Sequence, residues 1–269
     1  MFFVEASIAY NRGMSWASRR KTAYAIGVFI FFLIVVGGPL GYWYFSIPPS
    51  CNDGLQNQGE TKVDRGGPCP LLDDEALTPP GLLWTRAFRV REGTYSAVAY
   101  MQNPNAEAGV REVKYRFRMY DERNVLVTER QGVTYVMPGS VTAVFEGGIE
   151  TGSRVVAHTY FDFIQTPQWE RLIDTSSALV IKDTTLTDTD TIPRLTATIQ
   201  NTSVKERRNI KLVAIISDPA GNAFTASQTA LSFLLPGQRE EVIFTWPTPL
   251  SVTVGRVMIL PLSAPELRQ

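Results

Sequence analysis

The chain has 269 residues with 26 basic and 26 acidic side chains, a single histidine and two cysteines. A formal charge of zero gives no global field to gather nucleic acid or another acidic polymer, and 44% hydrophobic content argues against an unfolded chain. One histidine and two cysteines also leave too few soft ligands for a transition-metal cluster.

The first element is an apolar helix. No charged residue occurs between Lys21 and Asp53, and Ala23–Phe45 is almost wholly apolar. About 20 such residues at 1.5 Å rise cross a bilayer core. Arg12, Arg19, Arg20 and Lys21 precede the run against a single Glu5, which places the N-terminal flank in the cytoplasm and the bulk of the chain outside. Tyr42, Trp43 and Tyr44 fit an interfacial aromatic anchor. A cleaved signal peptide is the rival reading. It is disfavoured because the run exceeds the usual 7–15 apolar residues and bulky Tyr42–Phe45 occupies the cleavage position. The expected organisation is a cytoplasmic tail over 1–21, a membrane helix over 22–46, and a stalk and linker over 47–80.

Cys51 and Cys69 fall just beyond the helix, where a disulfide persists if that side is oxidising. Between them Asp53, Asn57, Glu60 and Asp64 are hard oxygen donors among glycines. Calcium prefers such ligands, although the spacing is not that of an EF-hand loop. The bland alternative is a solvated acidic turn whose side chains bond to nearby backbone. Leu71–Pro80, with its acidic run and Thr78-Pro79-Pro80, reads as an exposed linker.

Residues 51–69 resemble the C-x-D-G-x-x-N-x-x-E-x-x-x-D-C-G-G-x-C segment of extracellular proteins, including membrane-anchored proteins of uncultivated bacterial lineages. Cys51, Asp53, Gly54, Asn57, Glu60, Asp64, Gly66, Gly67 and Cys69 carry the resemblance. Arg65 replaces the family's internal cysteine, and Leu71 and Leu72 stand where a closing cysteine is usual, so only a Cys51–Cys69 bridge can form.

Beyond residue 80 the chain repeats itself at an offset of about 98 residues. Tyr95–Asn103, Val113–Asp121 and Val136–Gly139 are echoed by Leu195–Asn201, Ile210–Asp218 and Leu234–Gly237. Short β-branched runs bounded by turn signals predict strands, and Lys114–Tyr120 alternates basic with apolar residues. Asp121–Asn124 and Asp218–Asn222 suit hairpin turns, and Pro138-Gly139 and Pro236-Gly237 suit type II turns. The predicted fold is mainly β: two tandem immunoglobulin-like sandwiches, over 81–174 and 175–269, behind one transmembrane helix. Trp169 is expected to pack between the two modules.

The run Ala-x-Ile-Gln-Asn-Thr-Ser…Asp-Pro-Ala-Gly-Asn…Leu-Pro-Gly-Gln resembles bacterial FxLYD-type and related immunoglobulin-like domains, over most of 85–165 and 178–262. That resemblance implies a sandwich outside a membrane and no particular activity.

No catalytic residue is singled out. His158 lies in an apparent strand, and no Gly-x-Ser-x-Gly elbow or phosphate-binding glycine fingerprint occurs. Arg111, Lys114, Arg116, Arg118 and Tyr120 form a candidate interaction surface for an acidic partner, with a solvated mixed-charge face as the alternative. Asn201-Thr202-Ser203 matches a glycosylation acceptor. The expected role is that of a non-enzymatic cell-surface protein, single-pass, with its C-terminal bulk extracellular or periplasmic. Its partners are the bilayer through 22–46 and a protein or envelope polymer, with no nucleic acid and no cofactor beyond calcium at the stalk. The alternative is an accessory subunit of a secretion, pilus or envelope assembly.

Overall fold

A computed structural model describes residues 16–46 and 50–268. Arg12, Glu5, most of the expected cytoplasmic tail and Ile47–Pro49 lie outside the described residues. The chain divides into two compact units, residues 1–50 and 51–269.

The N-terminal unit is helical: α1 (Trp16–Phe32), a π turn (Leu33–Gly37) and α2 (Gly38–Ser46). Arg20–Tyr44 is long and apolar enough to cross a membrane, with mean hydropathy 2.3, and none of it is buried among the described residues. The π turn has a local cause. Pro39 has no amide to offer to the preceding turn, and the Gly38 amide is shared between the carbonyls of Ile34 and Leu33.

The second unit is built from antiparallel strands, β1 (Gly81–Arg91) to β14 (Glu266–Leu267). In its first half, β1, β2 (Thr94–Gln102) and β5 (Val141–Glu150) form one sheet. The facing sheet holds β3 (Ala108–Tyr120), β4 (Leu126–Val136), β6 (His158–Phe163) and β7 (Glu170–Ile173). The alternation read from the sequence is realised in β3. Tyr115, Phe117 and Met119 enter a core with Tyr95, Ala97, Ala99 and Met101 of β2, while Arg116 and Arg118 turn outward.

The second half repeats the plan. β8 (Leu179–Thr187), β9 (Arg194–Asn201) and β12 (Arg239–Thr245) face β10 (Arg207–Ser217), β11 (Ala223–Leu234) and β13 (Arg256–Leu262). Leu195, Ala197 and Ile199 meet Ile210, Leu212, Ala214 and Ile216 across that core.

The duplication extends to single hydrogen bonds. Asn103, at the end of β2, donates from Nδ2 to the carbonyls of Ala108 (2.6 Å) and Met137 (2.9 Å). Asn201, at the end of β9, donates to those of Lys205 (2.8 Å) and Leu234 (3.0 Å). Each asparagine therefore ties the loop after its strand to the turn before the next strand of the same sheet. Gly139 and Gly237 in those turns adopt φ of 56° and 73°, a region that favours glycine. Asn201 is fully buried, so its side chain is closed to glycosylation, contrary to what the acceptor pattern suggests.

A third cluster joins the halves. Phe88, Val98 and Ala143, on the outer face of the β1–β2–β5 sheet, pack against Val213, Ile215 and Ala226 of β10 and β11. Four sheets therefore stack in sequence. β2 and β10 are buried on both faces, which is why their apolar runs are nearly continuous where a half-exposed strand would alternate. Arg86 spans the same junction, donating to the carbonyl of Ala223 at 2.9 Å.

Candidate functional site

The disulfide-clipped loop folds as a small module. Cys51 and Cys69 are bonded, with Cα atoms 5.5 Å apart. Asp64 Oδ1 accepts from the amides of Asp53 (3.0 Å) and Gly54 (3.2 Å), and its Oδ2 accepts from Gly54 (3.1 Å). Asp53 accepts from the Leu55 amide (2.8 Å) and from Asn57 Nδ2 (2.9 Å). Glu60 is 7% exposed, and its Oε2 accepts from the amides of Asn57 and Asp64. These hydrogen bonds fold the loop, the arrangement expected of side chains that compete for local backbone. A calcium ion entering here would have to displace several of them. Glu60 Oε1 lies 3.1 Å from Cys69 Sγ, but both sulfurs are spent in the bridge and offer no thiolate to a metal. Gly67 has φ of 52°, and a Cβ there would approach the Gly59 carbonyl oxygen at 2.7 Å, so the close turn requires glycine.

The segment after the clip is not an exposed linker. Its backbone runs along β7: the Leu72 amide donates to the Trp169 carbonyl (2.8 Å), and the Arg171 amide donates to that of Pro70 (2.7 Å). Leu72 and Leu77 pack on Trp169 together with Val110, Val113 and Val136. Trp169 thus seals the first half under the stalk and does not lie between the halves. An apolar ring that large gains most where Leu72 and Leu77 can cover it, and sequence order gave no sign that the stalk folds back. Lys62 bridges to Asp73 (2.8 Å) and Glu75 (2.9 Å), joining the clip to the 3-10 turn Asp74–Ala76. Hydrogen bonding to Asp73 and Glu75 raises the Lys62 pKa, and the same bond to Lys62 lowers that of Asp73.

The basic stripe is largely neutralised. Arg111 makes two 2.6 Å bonds to Glu170, Arg116 meets Asp162 (2.8 Å) and Glu129 (3.6 Å), and Arg118 meets Asp162 at 3.0 Å. Tyr120 packs edge-on against Tyr160, and Lys114 stands exposed. Asp162 and Glu170 come from β6 and β7, so the pairing depends on strands that sequence order keeps well apart from β3. His158 is exposed at the start of β6.

The feature that sequence reasoning missed is a cavity of about 360 Å³ at the side of the first half. Phe161, Phe163, Met101 and Trp169 form its inner wall, and Leu77, Pro79 and Pro80 form the outer one. Asp74, Thr78 and Asp162 supply its polar rim. Its size and apolar lining match those of small binding pockets. The signal in the sequence was the pair of prolines at 79–80 opposite Pro167, but only the folded-back stalk brings them together.

No family model matches this chain, and no curated protein does. Among solved structures, a red sea bream transglutaminase is similar over 70% of this chain and 29% of its own, at 11% identity and a TM-score of 0.25. A β-glucuronidase of glycoside hydrolase family 2 is similar over 64% of this chain and 24% of its own (14% identity, TM-score 0.21). The tandem CBM22-1–CBM22-2 domain of Paenibacillus barcinonensis Xyn10C covers 72% of this chain and 93% of its own (10% identity, TM-score 0.15). This chain therefore spans under a third of the first two proteins, and likenesses this weak carry no functional argument.

Proposed function

We propose that this chain is a single-pass membrane protein that holds a rigid β body outside the cell or in the periplasm. Its N-terminus is cytoplasmic, and it acts by contact with a protein or envelope polymer, not by catalysis. The observation that carries this reading is the Arg20–Tyr44 helix, apolar on all sides, with none of it buried among the described residues. A helix apolar all round finds its low-energy surroundings in lipid. The basic residues before it and the disulfide after it support the orientation. The four-sheet stack suits a body that transmits position, since a shared apolar interface restrains hinge motion between halves.

An accessory subunit of an envelope assembly is the second reading. It is favoured by Gly37, Gly38 and Gly41, small residues that allow another helix to approach closely. Alkaline carbonate extraction with intact-mass measurement tests the main proposal. The full-length chain should stay in the membrane pellet, and a soluble product lacking the helix would refute it. Purification in mild detergent separates the two readings, because an assembly subunit brings a stoichiometric membrane partner with it.

A further inference from the structure

The disulfide clip holds a buried carboxylate against its own bridge. Glu60 Oε2 is occupied by the amides of Asn57 (3.3 Å) and Asp64 (3.1 Å). Its Oε1 faces Cys69 Sγ at 3.1 Å and takes no other hydrogen bond among the described residues. A bridged sulfur has no proton to give, whereas a thiol in the same place would donate to the carboxylate. Both oxygens of Glu60 are therefore matched within the clip only when Cys69 is reduced. Burial of Glu60 makes an unmatched carboxylate oxygen costly.

The two sulfurs also differ in access. Cys69 is fully buried and Cys51 is half-buried, so an incoming thiolate reaches Cys51 Sγ and Cys69 is the sulfur that leaves. In sequence the clip stands between the apolar helix, which ends at Ser46, and residues 70–72, which are fastened to β7. The bridge brings cysteines 18 positions apart to 5.5 Å between Cα atoms. Opened and extended, the same stretch spans up to about 60 Å.

We propose that the Cys51–Cys69 bridge is a thiol–disulfide exchange site, reversibly opened by a thiol donor, with Glu60 as the positioning residue that favours the reduced form. The donor thiolate attacks Cys51 Sγ and the bridge breaks. Cys69 Sγ takes the bond's electron pair and the proton that the donor thiol gave up. A second donor thiol displaces Cys51 from the mixed disulfide in the same way. Two donor thiols are thus oxidised to a disulfide, two cysteines are reduced, and the Cys69 thiol donates to Glu60 Oε1. The loop then lacks its covalent closure, and the tether between the helix and the β body can lengthen. This role goes beyond the contact role proposed above and does not depend on it.

The test equilibrates the full chain in detergent with reduced and oxidised glutathione, without oxygen, and traps free thiols by alkylation for mass measurement. The wild-type bridge should open in millimolar reduced glutathione. Glu60→Gln keeps an acceptor for the amides of Asn57 and Asp64 and turns an N–H toward the sulfur. It should shift the equilibrium at least tenfold toward the disulfide, about 30 mV for a two-electron couple. The sign separates this role from a structural one, since a variant that merely loosened the clip would ease reduction. Protease should cut the reduced wild-type chain within 52–68, and reoxidation should restore resistance. A bridge that stays closed in millimolar glutathione overturns the proposal. So does a Glu60→Gln equilibrium within twofold of wild type or shifted toward the thiols, or a reduced clip as resistant to protease as the bridged one.

Discussion

Replacing Asn201 tests the buried-asparagine staple and, through it, the duplicated architecture. The residue is fully buried, and its Nδ2 serves Lys205 and Leu234 at 2.8 and 3.0 Å while Oδ1 accepts from the Ser203 amide at 3.0 Å. The Ser203 hydroxyl also reaches the Lys205 carbonyl, at 2.8 Å, so the cost of Asn201→Ala concentrates on the buried Leu234 carbonyl left without that donor. The expected loss is about 2 kcal/mol. With a urea m-value near 3 kcal/mol/M, the unfolding midpoint falls by about 0.7 M. Asn201→Asp discriminates further. A carboxylate oxygen facing two carbonyl oxygens should cost more than alanine at pH 7, and the difference should shrink as the carboxyl protonates. Equilibrium urea unfolding of the full chain in detergent, followed by near-UV circular dichroism at pH 7 and pH 4, measures both. A loss below about 0.5 kcal/mol for alanine, or aspartate tolerated as well as asparagine, would refute the staple.

Cys51→Ser with Cys69→Ser removes a constraint of about 3 kcal/mol for a loop of this size, so limited proteolysis should cut within 52–68 while the β body stays resistant. With its carboxylates turned to backbone amides, the intact clip should show the same protease resistance in calcium and in chelator. Val213→Asp places an unpaired charge between the stacked sheets, and should split one cooperative unfolding transition into two. Acid should destabilise the body. The Asp121 pKa is lowered chiefly by Arg154, that of Asp218 by the Asn222 amide, and that of Glu266 by Lys205. Such groups stabilise above their unfolded values, near 4, and lose that contribution as pH falls through the folded ones. Asp174, raised by burial, acts in the opposite sense. Arg154→Met should return Asp121 toward its ordinary value, seen as a smaller acid dependence of the melting temperature.

Local chemistry was legible in the chain itself. The uncharged run gave a helix, two cysteines permitted one bridge, the alternation of Lys114–Tyr120 gave inward rings and outward arginines, and the repeated Pro-Gly pairs gave turns. These properties depend on residues a few positions apart, where backbone geometry and side-chain period decide the outcome. Periodicity tells which face is apolar but not what covers it. Stacking of Val98 on Val213, return of the stalk to Trp169, pairing of β14 with β7, and the cavity those returns enclose join residues far apart in sequence. Only the tertiary structure decided them, because burial of an apolar face lowers free energy against any complementary surface, and the choice among surfaces is made by the whole fold.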